Sequence, residues 1–169
     1  MIELPIIQAI RELPAYQELV EAIRTGGTHI PLNVPRSVRL PLAVAIYDDL
    51  ERPMCLITDR ADRSLVLFDE LNFWSRTINC VPFPEPNPLF YEQAGWGMKT
   101  RRERLQALTV LGCYHVPGRP KVSPPPFVVT PIRAVMVRTL PRREFLKSCK
   151  TLKVGDEIRP ENLLQAWVE

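Results

Sequence analysis

The sequence lacks the features that mark membrane-spanning, secreted and metal-binding chains. No apolar run approaches the roughly 20 residues that a membrane-spanning helix needs, and the N-terminus has no basic-then-apolar signal pattern. Cys113 and His115 supply two metal ligands where a site needs about three or four, and His29 is the one other histidine. The cysteines stand far apart, without zinc-knuckle pairs or the density of a disulfide scaffold: Cys55, Cys80, Cys113 and Cys149. These absences predict a cytoplasmic chain with reduced thiols, no cofactor and no bound metal.

Charge is divided unevenly along the chain. Residues 1–98 carry 8 basic and 13 acidic side chains and residues 99–169 carry 14 and 6, so the two parts sum to −5 and +8. A basic half is typical of a surface that faces nucleic acid or a partner, and equally of a solvated face. Because no aromatic side chains are interleaved with the basic ones, a solvated face is favoured and DNA binding is the alternative.

Length and composition predict one substantial domain. The chain has 169 residues, of which 46% are hydrophobic, enough for one core and too few for two ordinary domains. We predict an α/β domain over residues 1–150 and the start of a following subdomain over residues 151–169. In that last part Thr151–Val154 is predicted as a strand, and an amphipathic helix from Pro160 stops within an apolar stripe of Leu163, Leu164 and Trp167.

Short β-rich runs alternate with longer helical patterns. The predicted strands are His29–Asn33, Met54–Thr58, Thr77–Pro82 and Phe127–Thr130. Two helices precede them, the second opened by Pro14 and stopped by Gly26 and Gly27. Later helices are predicted at Pro41–Leu50, Asp62–Trp74, Thr100–Leu111 and Ile132–Leu140. This βαβ rhythm predicts a mostly parallel sheet, and the nearly continuous apolar character of the first three strands predicts helices on both faces, hence a three-layer sandwich.

The stretch Asn33–Leu40 occupies the place of a phosphate-binding loop. Setting GxxxxGK[ST] against NVPRSVRL puts Asn33 and Val38 at the glycines, Arg39 at the lysine and Leu40 at the magnesium-binding hydroxyl. Val38 is β-branched and resists positive φ, and Leu40 has no oxygen for Mg²⁺. With prolines at both flanks, this loop cannot easily present a nest of N–H groups to a triphosphate. The stretch predicts a degenerate nucleotide site, at which Arg36 and Arg39 remain candidates for contact with an anion.

No other arrangement in the sequence indicates catalysis. Asp69 and Glu70 superficially resemble a DExx box, but they lie inside a predicted helix and not at a strand end where they could hold Mg²⁺. Asp48 and Asp49, at a predicted helix end, are interpreted as solvated. Two histidines give little acid–base capacity, and no Ser/His/Asp or Cys/His arrangement stands out. The chain is therefore predicted not to be an enzyme.

Three ordered segments carry a resemblance to a known family. The segments are residues 83–108 (FPEPNPLFYEQAGWGMKTRRERLQAL), 126–146 (PFVVTPIRAVMVRTLPRREFL) and 151–158 (TLKVGDEI). In that order, they resemble a series found in bacterial transcription-repair coupling factors. The series belongs to the UvrB-like module that these factors share with the excision helicase subunit UvrB. That series reads FP…LPYE, R-x-x-x-L, V-V-x-P-x-x-A-L-x-x-R, P-x-x-F-L and L-x-x-G-x-x-I. The matching residues are Phe83, Pro84, Leu89, Tyr91, Glu92, Arg104, Leu108, Val128, Val129, Pro131, Ala134, Val135, Arg138, Pro141, Phe145, Leu146, Leu152, Gly155 and Ile158. The sequence departs from the family at Leu89-Phe90-Tyr91, where the family has LPY, and in the proline-rich segment Val116–Pro126.

The resemblance implies a fold and a role. It implies a P-loop-NTPase-like, helicase-motor-like domain that has lost its nucleotide site, in agreement with NVPRSVRL. It implies a non-catalytic scaffold in transcription-coupled nucleotide excision repair, next to a subdomain that recruits UvrA and to other domains of a parent translocase. The alternative is a nucleotide- or DNA-binding fragment of a DNA-dependent ATPase. Apolar matches such as Phe83 and Val128 are typical of a core, whereas Arg104 and Arg138 are candidates for internal ion pairs or for an anionic partner.

Overall fold

A computed structural model describes residues 4–27, 29–74, 78–86, 97–114, 121–149, 152, 154–155, 157 and 159–161. Its helices are α1 (Pro5–Arg11), α2 (Pro14–Arg24), α3 (Arg39–Leu50), α4 (Ala61–Trp74), α5 (Met98–Tyr114), α6 (Ile132–Met136) and α7 (Arg142–Ser148), with a 3₁₀ turn at Arg36–Val38. Its strands are β1 (Met54–Thr58), β2 (Asn79–Pro82) and β3 (Pro126–Pro131). The chain divides into two compact units, residues 1–138 and 139–169. The predicted subdomain start at residue 151 stays a prediction.

Helices α1 and α2 begin and end as their sequences indicate. A proline opens each helix, where the absent N–H has no intrahelical partner to lose. At the end of α2, the Thr25 hydroxyl donates to the Glu21 carbonyl at 2.9 Å, and Gly26 follows with φ +94°. Glycine adopts this left-handed conformation without the steric cost of a Cβ. The predicted opening at Pro14 and the predicted stop at Gly26 are confirmed.

The three strands form one parallel sheet in the order β1-β3-β2. Strand β3 lies in the middle and is buried along its whole length. In register, Met54 of β1 and Cys80 of β2 lie opposite Phe127 of β3. The chain crosses from one edge of the sheet to the other through α4 and returns to the centre through α5. An α/β fold with a parallel sheet is thereby confirmed.

Each face of the central strand carries its own apolar core. The first core packs Phe127 and Val129 against residues of α1 to α4, among them Val44 and Leu71. The second core packs Val128 against Val81 and against helices α5 and α6. Successive side chains of a strand point to opposite faces, so the two cores lie on opposite sides of β3. We call them the first core and the second core below.

Edge strand β1 differs from the prediction of two covered faces. Met54 and Leu56 pack against the first core, whereas Cys55 and Ile57, between them, are exposed. Helix α5 covers β2 and β3, because the strand residues of the second core come from these two strands. The apolar run of β1 is therefore buried on one face only. The prediction of two buried faces, which concerned the first three predicted strands, is wrong for this strand, whereas β3, the fourth, is buried throughout.

The strand predicted at His29–Asn33 is wrong. Residues 29–35 have no regular secondary structure, and the sheet of the described residues pairs none of them. Two prolines, Pro31 and Pro35, bear no N–H to donate to a ladder. Apart from Ile30, which packs against the first core, most side chains from 29 to 33 are exposed. Without burial on either face, β propensity alone does not hold the segment in the sheet.

The remaining helices confirm the periodic patterns, with one exception. Helices α3, α4 and α5 cover the predicted ranges and extend by one to three residues at some ends. Helix α6 stops at Met136, short of the predicted Leu140, and Val137 turns to extended backbone with ψ 124°. Thr139 is β-branched and Leu140 precedes Pro141, and both features disfavour helix. Pro141 then precedes α7, which lies outside the predicted helices.

Few residues of the C-terminal part are described. Val154 lies in a turn with Gly155, so the predicted strand does not include Val154. Pro160 and Glu161 are helical, and the stripe of Leu163, Leu164 and Trp167 lies outside the described residues. None of the described helices has the length and apolar character needed to cross a membrane.

Candidate functional site

The stretch Asn33–Leu40, aligned by sequence with a phosphate loop, follows none of the described strands and forms a short turn that uses its own amides. The backbone is irregular up to Pro35 and then forms the 3₁₀ turn Arg36–Val38. The Val38 N–H donates to the Pro35 carbonyl at 3.0 Å, and the Arg39 N–H donates to the Arg36 carbonyl. Pro35 and Pro41 have no amide proton. Phosphate binding needs several free amides directed at one point. In this turn the amides of Val38 and Arg39 are already hydrogen-bonded, and Pro35 and Pro41 have none to offer.

Two of the side chains aligned with phosphate-loop residues, Val38 and Leu40, pack into the first core. Leu40, at the position of the magnesium-binding hydroxyl, is buried, and Pro41 beside it is fully buried. Val38, at the second glycine position, is half-buried and packs against the same core. Asn33, at the first glycine position, is exposed. The stretch anchors α3 by apolar contact and presents no hydroxyl at Leu40 for a metal ion.

The two arginines of this stretch lie on the surface. Arg36 is exposed, and Arg39 is exposed with its Nε donating to the Val34 carbonyl at 3.2 Å. Arg39 therefore bonds back onto the turn that precedes it, which leaves Arg36 as the side chain of the pair directed to solvent.

The carboxyl ends of the strands are the other place where a parallel α/β domain binds ligands. After β1, Arg60 pairs with Asp62 at 2.8 Å and Arg63 pairs with Asp59 at 3.3 Å. The Thr58 hydroxyl donates to the Arg60 carbonyl at 2.8 Å, closing the turn on itself. No glycine lies at the ends of the three strands or directly after them, in residues 58–61, 82–86 and 130–133. The turn after β1 is closed by its own polar pairs, and none of the three turns has the glycine-based backbone freedom of a phosphate loop.

A buried arginine organises the ends of β2 and β3. Arg104 of α5 is 2% exposed, and its guanidinium lies 4.0 Å from the centre of the Phe83 ring. Its Nη1 donates to the Pro84 carbonyl at 2.8 Å and to the Ala134 carbonyl at 3.4 Å. The Thr130 hydroxyl donates to the Phe83 carbonyl at 2.8 Å. We call Phe83, Pro84, Arg104, Thr130 and Ala134 the arginine cluster.

The arginine cluster joins three elements through one side chain. Arg104 links α5 to the segment after β2 and to α6, and Phe83 also donates its backbone N–H to the Val129 carbonyl at 2.9 Å. Burial lowers the pKa of Arg104, because desolvation disfavours the charged form. The sequence left open an internal ion pair or an anionic partner for Arg104, and the acceptors of these two bonds are internal backbone carbonyls.

The four candidate arginines are not gathered at one site. Arg36 and Arg39 border the first core through Val38, whereas Arg104 borders the second core through Phe83, on the opposite face of β3. Arg138 is exposed and follows α6 at the end of the first compact unit. No single anion can meet the two groups on opposite faces.

Sequence reasoning missed a polar clamp among the first three helices. Arg11 of α1 lies 2.8 Å from Asp49 of α3, and the Tyr16 hydroxyl of α2 donates to the same carboxylate. Arg24 adds a bond to the Asp49 carbonyl at 3.2 Å. Burial, followed by the bond to Asp49, raises the pKa of Tyr16. The interpretation of Asp49 as a solvated charge is wrong, and the available signal was Tyr16 within an apolar stripe, since a buried tyrosine hydroxyl needs a partner.

The described residues offer little for metal or thiol chemistry. Among them, no group of at least three His, Cys, Asp or Glu side chains could hold a metal ion. Burial raises the pKa of the Cys80 thiol to about 12, which keeps it protonated and unreactive at neutral pH. Asp69 and Glu70 are exposed within α4, as predicted, and do not lie at a strand end.

Comparison with known proteins adds no further assignment, since no protein-family model and no curated protein matches this sequence.

Proposed function

We propose that this chain is a non-catalytic scaffold and interaction module of the transcription-repair coupling factor type, with a helicase-motor-like fold and a degenerate nucleotide site. In this role it acts in the cytoplasm and positions an adjoining subdomain that recruits UvrA to a stalled polymerase. The arginine cluster is the observation that carries the proposal. Its members come from three motifs of the resemblance: Phe83 from the FP motif, Arg104 from the R-x-x-x-L helix and Ala134 from the V-V-x-P-x-x-A unit.

Contact between motifs that are distant in the sequence supports the proposal. Arg104 lies 20 residues after Pro84 and 30 residues before Ala134, yet donates to both carbonyls. The family pattern thus corresponds to one packed unit at the ends of two parallel strands. The same contacts also favour a structural role for these residues over a ligand-binding role.

The phosphate-loop position supports the non-catalytic part of the proposal. The Val38 and Arg39 amides are bonded within the turn, and Leu40 is buried in the first core. A motor domain that hydrolyses nucleotide needs these groups free and a hydroxyl at the metal. A fold can be kept while its site takes another role. Use of this stretch for packing therefore supports a scaffold role within an α/β fold.

Strand-specific repair of ultraviolet damage tests the biological role. We expect cells with an in-frame deletion of the codons for residues 1–169 to lose preferential repair of the transcribed strand while repair of the other strand continues. Cells that carry Arg36→Ala serve as the matched control and should repair both strands normally, because Arg36 is exposed and outside the arginine cluster. Preferential repair that survives the deletion would overturn the proposal.

Calorimetric titration separates the scaffold from the alternative, a nucleotide-binding fragment. We expect no heat from a non-hydrolysable ATP analogue with Mg²⁺. Micromolar binding that Arg39→Ala abolishes would replace the scaffold with the ATPase fragment. The DNA-binding alternative predicts an affinity that falls steeply with salt, and it fails if binding is absent or insensitive to salt at low ionic strength.

A further inference from the structure

Helix α4 has an outer face whose side chains are exposed. Its inner side chains, among them Ser64 and Leu71, are buried, and Leu67 and Phe68 pack against the first core. The outer face nevertheless carries large apolar side chains, and its residues recur at helical spacing: Asp62, Leu65, Val66, Asp69, Glu70 and Phe73. A surface helix normally keeps its outer face polar. We call these six residues the α4 outer face.

The apolar part of this face is strongly exposed. Phe73 is 79% exposed, Leu65 54% and Val66 55%. The Phe73 ring touches the edge of Trp74, with ring centres 6.1 Å apart, so it has an aromatic neighbour on one side and solvent elsewhere. Large exposed apolar side chains that share one helix face can mark an interaction surface.

The charges on the same face are of one sign. Asp69 and Glu70 precede Phe73 by about one helical turn. Helix α4 has no lysine or arginine after Arg63. Asp62, at the start of the helix, is already paired with Arg60 at 2.8 Å. Leu65, Val66 and Phe73 are thus accompanied by two carboxylates, Asp69 and Glu70, that form no ion pair with the residues that the structure describes. The complementary surface is apolar with flanking positive charge.

We propose that the α4 outer face is a docking surface for a partner helix whose apolar stripe is flanked by Lys or Arg. Such a helix would cover Phe73 and Leu65 with its apolar side chains and place its cations beside Asp69 and Glu70. Nucleic acids and anionic membranes are disfavoured as partners, because phosphates would meet like charge. The proposal concerns a surface separate from the arginine cluster and does not depend on the repair role.

A second copy of the chain is a poorer occupant. Helix α5 does carry exposed Met98 and Leu105 beside Lys99 and Arg102. Docking α4 of one copy onto α5 of another, however, joins two different surfaces, and such contacts propagate into open filaments unless the rotation closes. A separate basic helix offers the same apolar and positively charged groups. Its complex with one chain is finite, because the helix has no second copy of the α4 outer face to propagate the contact.

Peptide binding to the whole chain tests the proposal. The probe is a fluorescent, designed amphipathic helical peptide with leucines along one face and flanking lysines, and its matched partner has glutamate in place of every lysine. We expect fluorescence anisotropy to give an affinity at least about tenfold higher for the lysine peptide, weakening with salt. Equal affinity for the two peptides would overturn the proposal.

Variants assign the binding to this face. Phe73→Ser should weaken the lysine peptide about tenfold or more, and Asp69→Lys with Glu70→Lys should reverse the preference toward the glutamate peptide. The matched control is Met98→Ser, an 83% exposed apolar side chain on α5, which should leave affinity unchanged. Thermal melts monitored by circular dichroism verify that each variant folds, as expected for exposed positions.

Three further outcomes would overturn the assignment. Binding unchanged by Phe73→Ser would mean that the peptide docks elsewhere on the chain. Equal weakening by Met98→Ser would show an unspecific apolar contact. Self-association in sedimentation analysis that Phe73→Ser abolishes, without peptide binding, would identify a second copy as the occupant.

Discussion

The two faces of the sheet are held by different kinds of contact. On one face, α1 to α4 pack an apolar core around Phe127 and Leu71, both fully buried. On the other face, α5 is tied down by Arg104, a buried cation whose donors reach two backbone carbonyls. The phosphate-loop stretch belongs to the first face, where Leu40 now packs in the core. One core is thus apolar, whereas the other is built around a buried cation.

The largest effect is expected from the first core. Phe127→Ala removes a fully buried ring that packs against Tyr47 with ring centres 5.5 Å apart. The cavity and the lost transfer free energy should lower the free energy of unfolding by about 4 kcal/mol in urea denaturation. Phe73→Ala, at an exposed position, is the control and should change it by less than about 0.5 kcal/mol. A loss for Phe127→Ala as small as the control's would refute a core centred on β3.

A somewhat smaller loss is expected from the second core. Arg104→Met keeps most of the volume but removes the donors to the Pro84 and Ala134 carbonyls. Leaving buried acceptors without partners should cost about 3 kcal/mol, measured by the same denaturation. Arg104→Lys, which keeps the charge without the planar fork, should fall between wild type and Arg104→Met. Equal stability of Arg104→Met and wild type would mean that the face is held by apolar contacts after all.

The polar clamp should contribute about as much as one hydrogen bond. Tyr16→Phe removes the bond from the hydroxyl to Asp49 and should cost about 1 kcal/mol at neutral pH. Glu18→Ala, exposed on the same helix, is the matched control and should be close to neutral. A double-mutant cycle with Asp49→Ala measures the coupling, and additive losses would show that the two side chains act independently.

Alkaline titration tests the same tyrosine. Burial and Asp49 raise the pKa of Tyr16 in the folded chain, so the folded state keeps a proton that the unfolded state loses near about pH 10. This stabilisation is fully present below that pH and is lost as pH rises toward the folded pKa. The free energy of unfolding of Tyr16→Phe should therefore decline less steeply above that pH than that of wild type. Parallel slopes would contradict the assignment.

The smallest effect is expected at the phosphate-loop position. Arg36→Ala with Arg39→Ala should change the free energy of unfolding by less than about 0.5 kcal/mol, because both side chains are exposed. Addition of an ATP analogue should leave the melting temperature of the wild type and of the double variant unchanged. A nucleotide-dependent stabilisation of the wild type alone would show that this face still binds an anion.

Local patterns predicted most elements but not the role of each strand. Helix α4 follows from its spacing of apolar residues, and β1 and β3 from their β-rich runs. Strand His29–Asn33 failed because its apolar residues find no ladder partner, a condition that depends on segments far along the chain. The candidate site was predicted only in part. Residue types alone show that Val38 disfavours positive φ and that Leu40 has no hydroxyl, whereas the partners of Arg104 and Asp49 could not be predicted from them.

The sequence by itself determined what the phosphate-loop position lacks, since a missing hydroxyl at Leu40 and missing amide protons at Pro35 and Pro41 are properties of the residues alone. It also determined where strongly periodic helices begin, because capping prolines and apolar spacing act within a few residues. Only the tertiary structure decided that β3 is central and that Phe83, Arg104 and Ala134 meet. Their meeting depends on strand order, which brings together residues that local physical chemistry treats as unrelated.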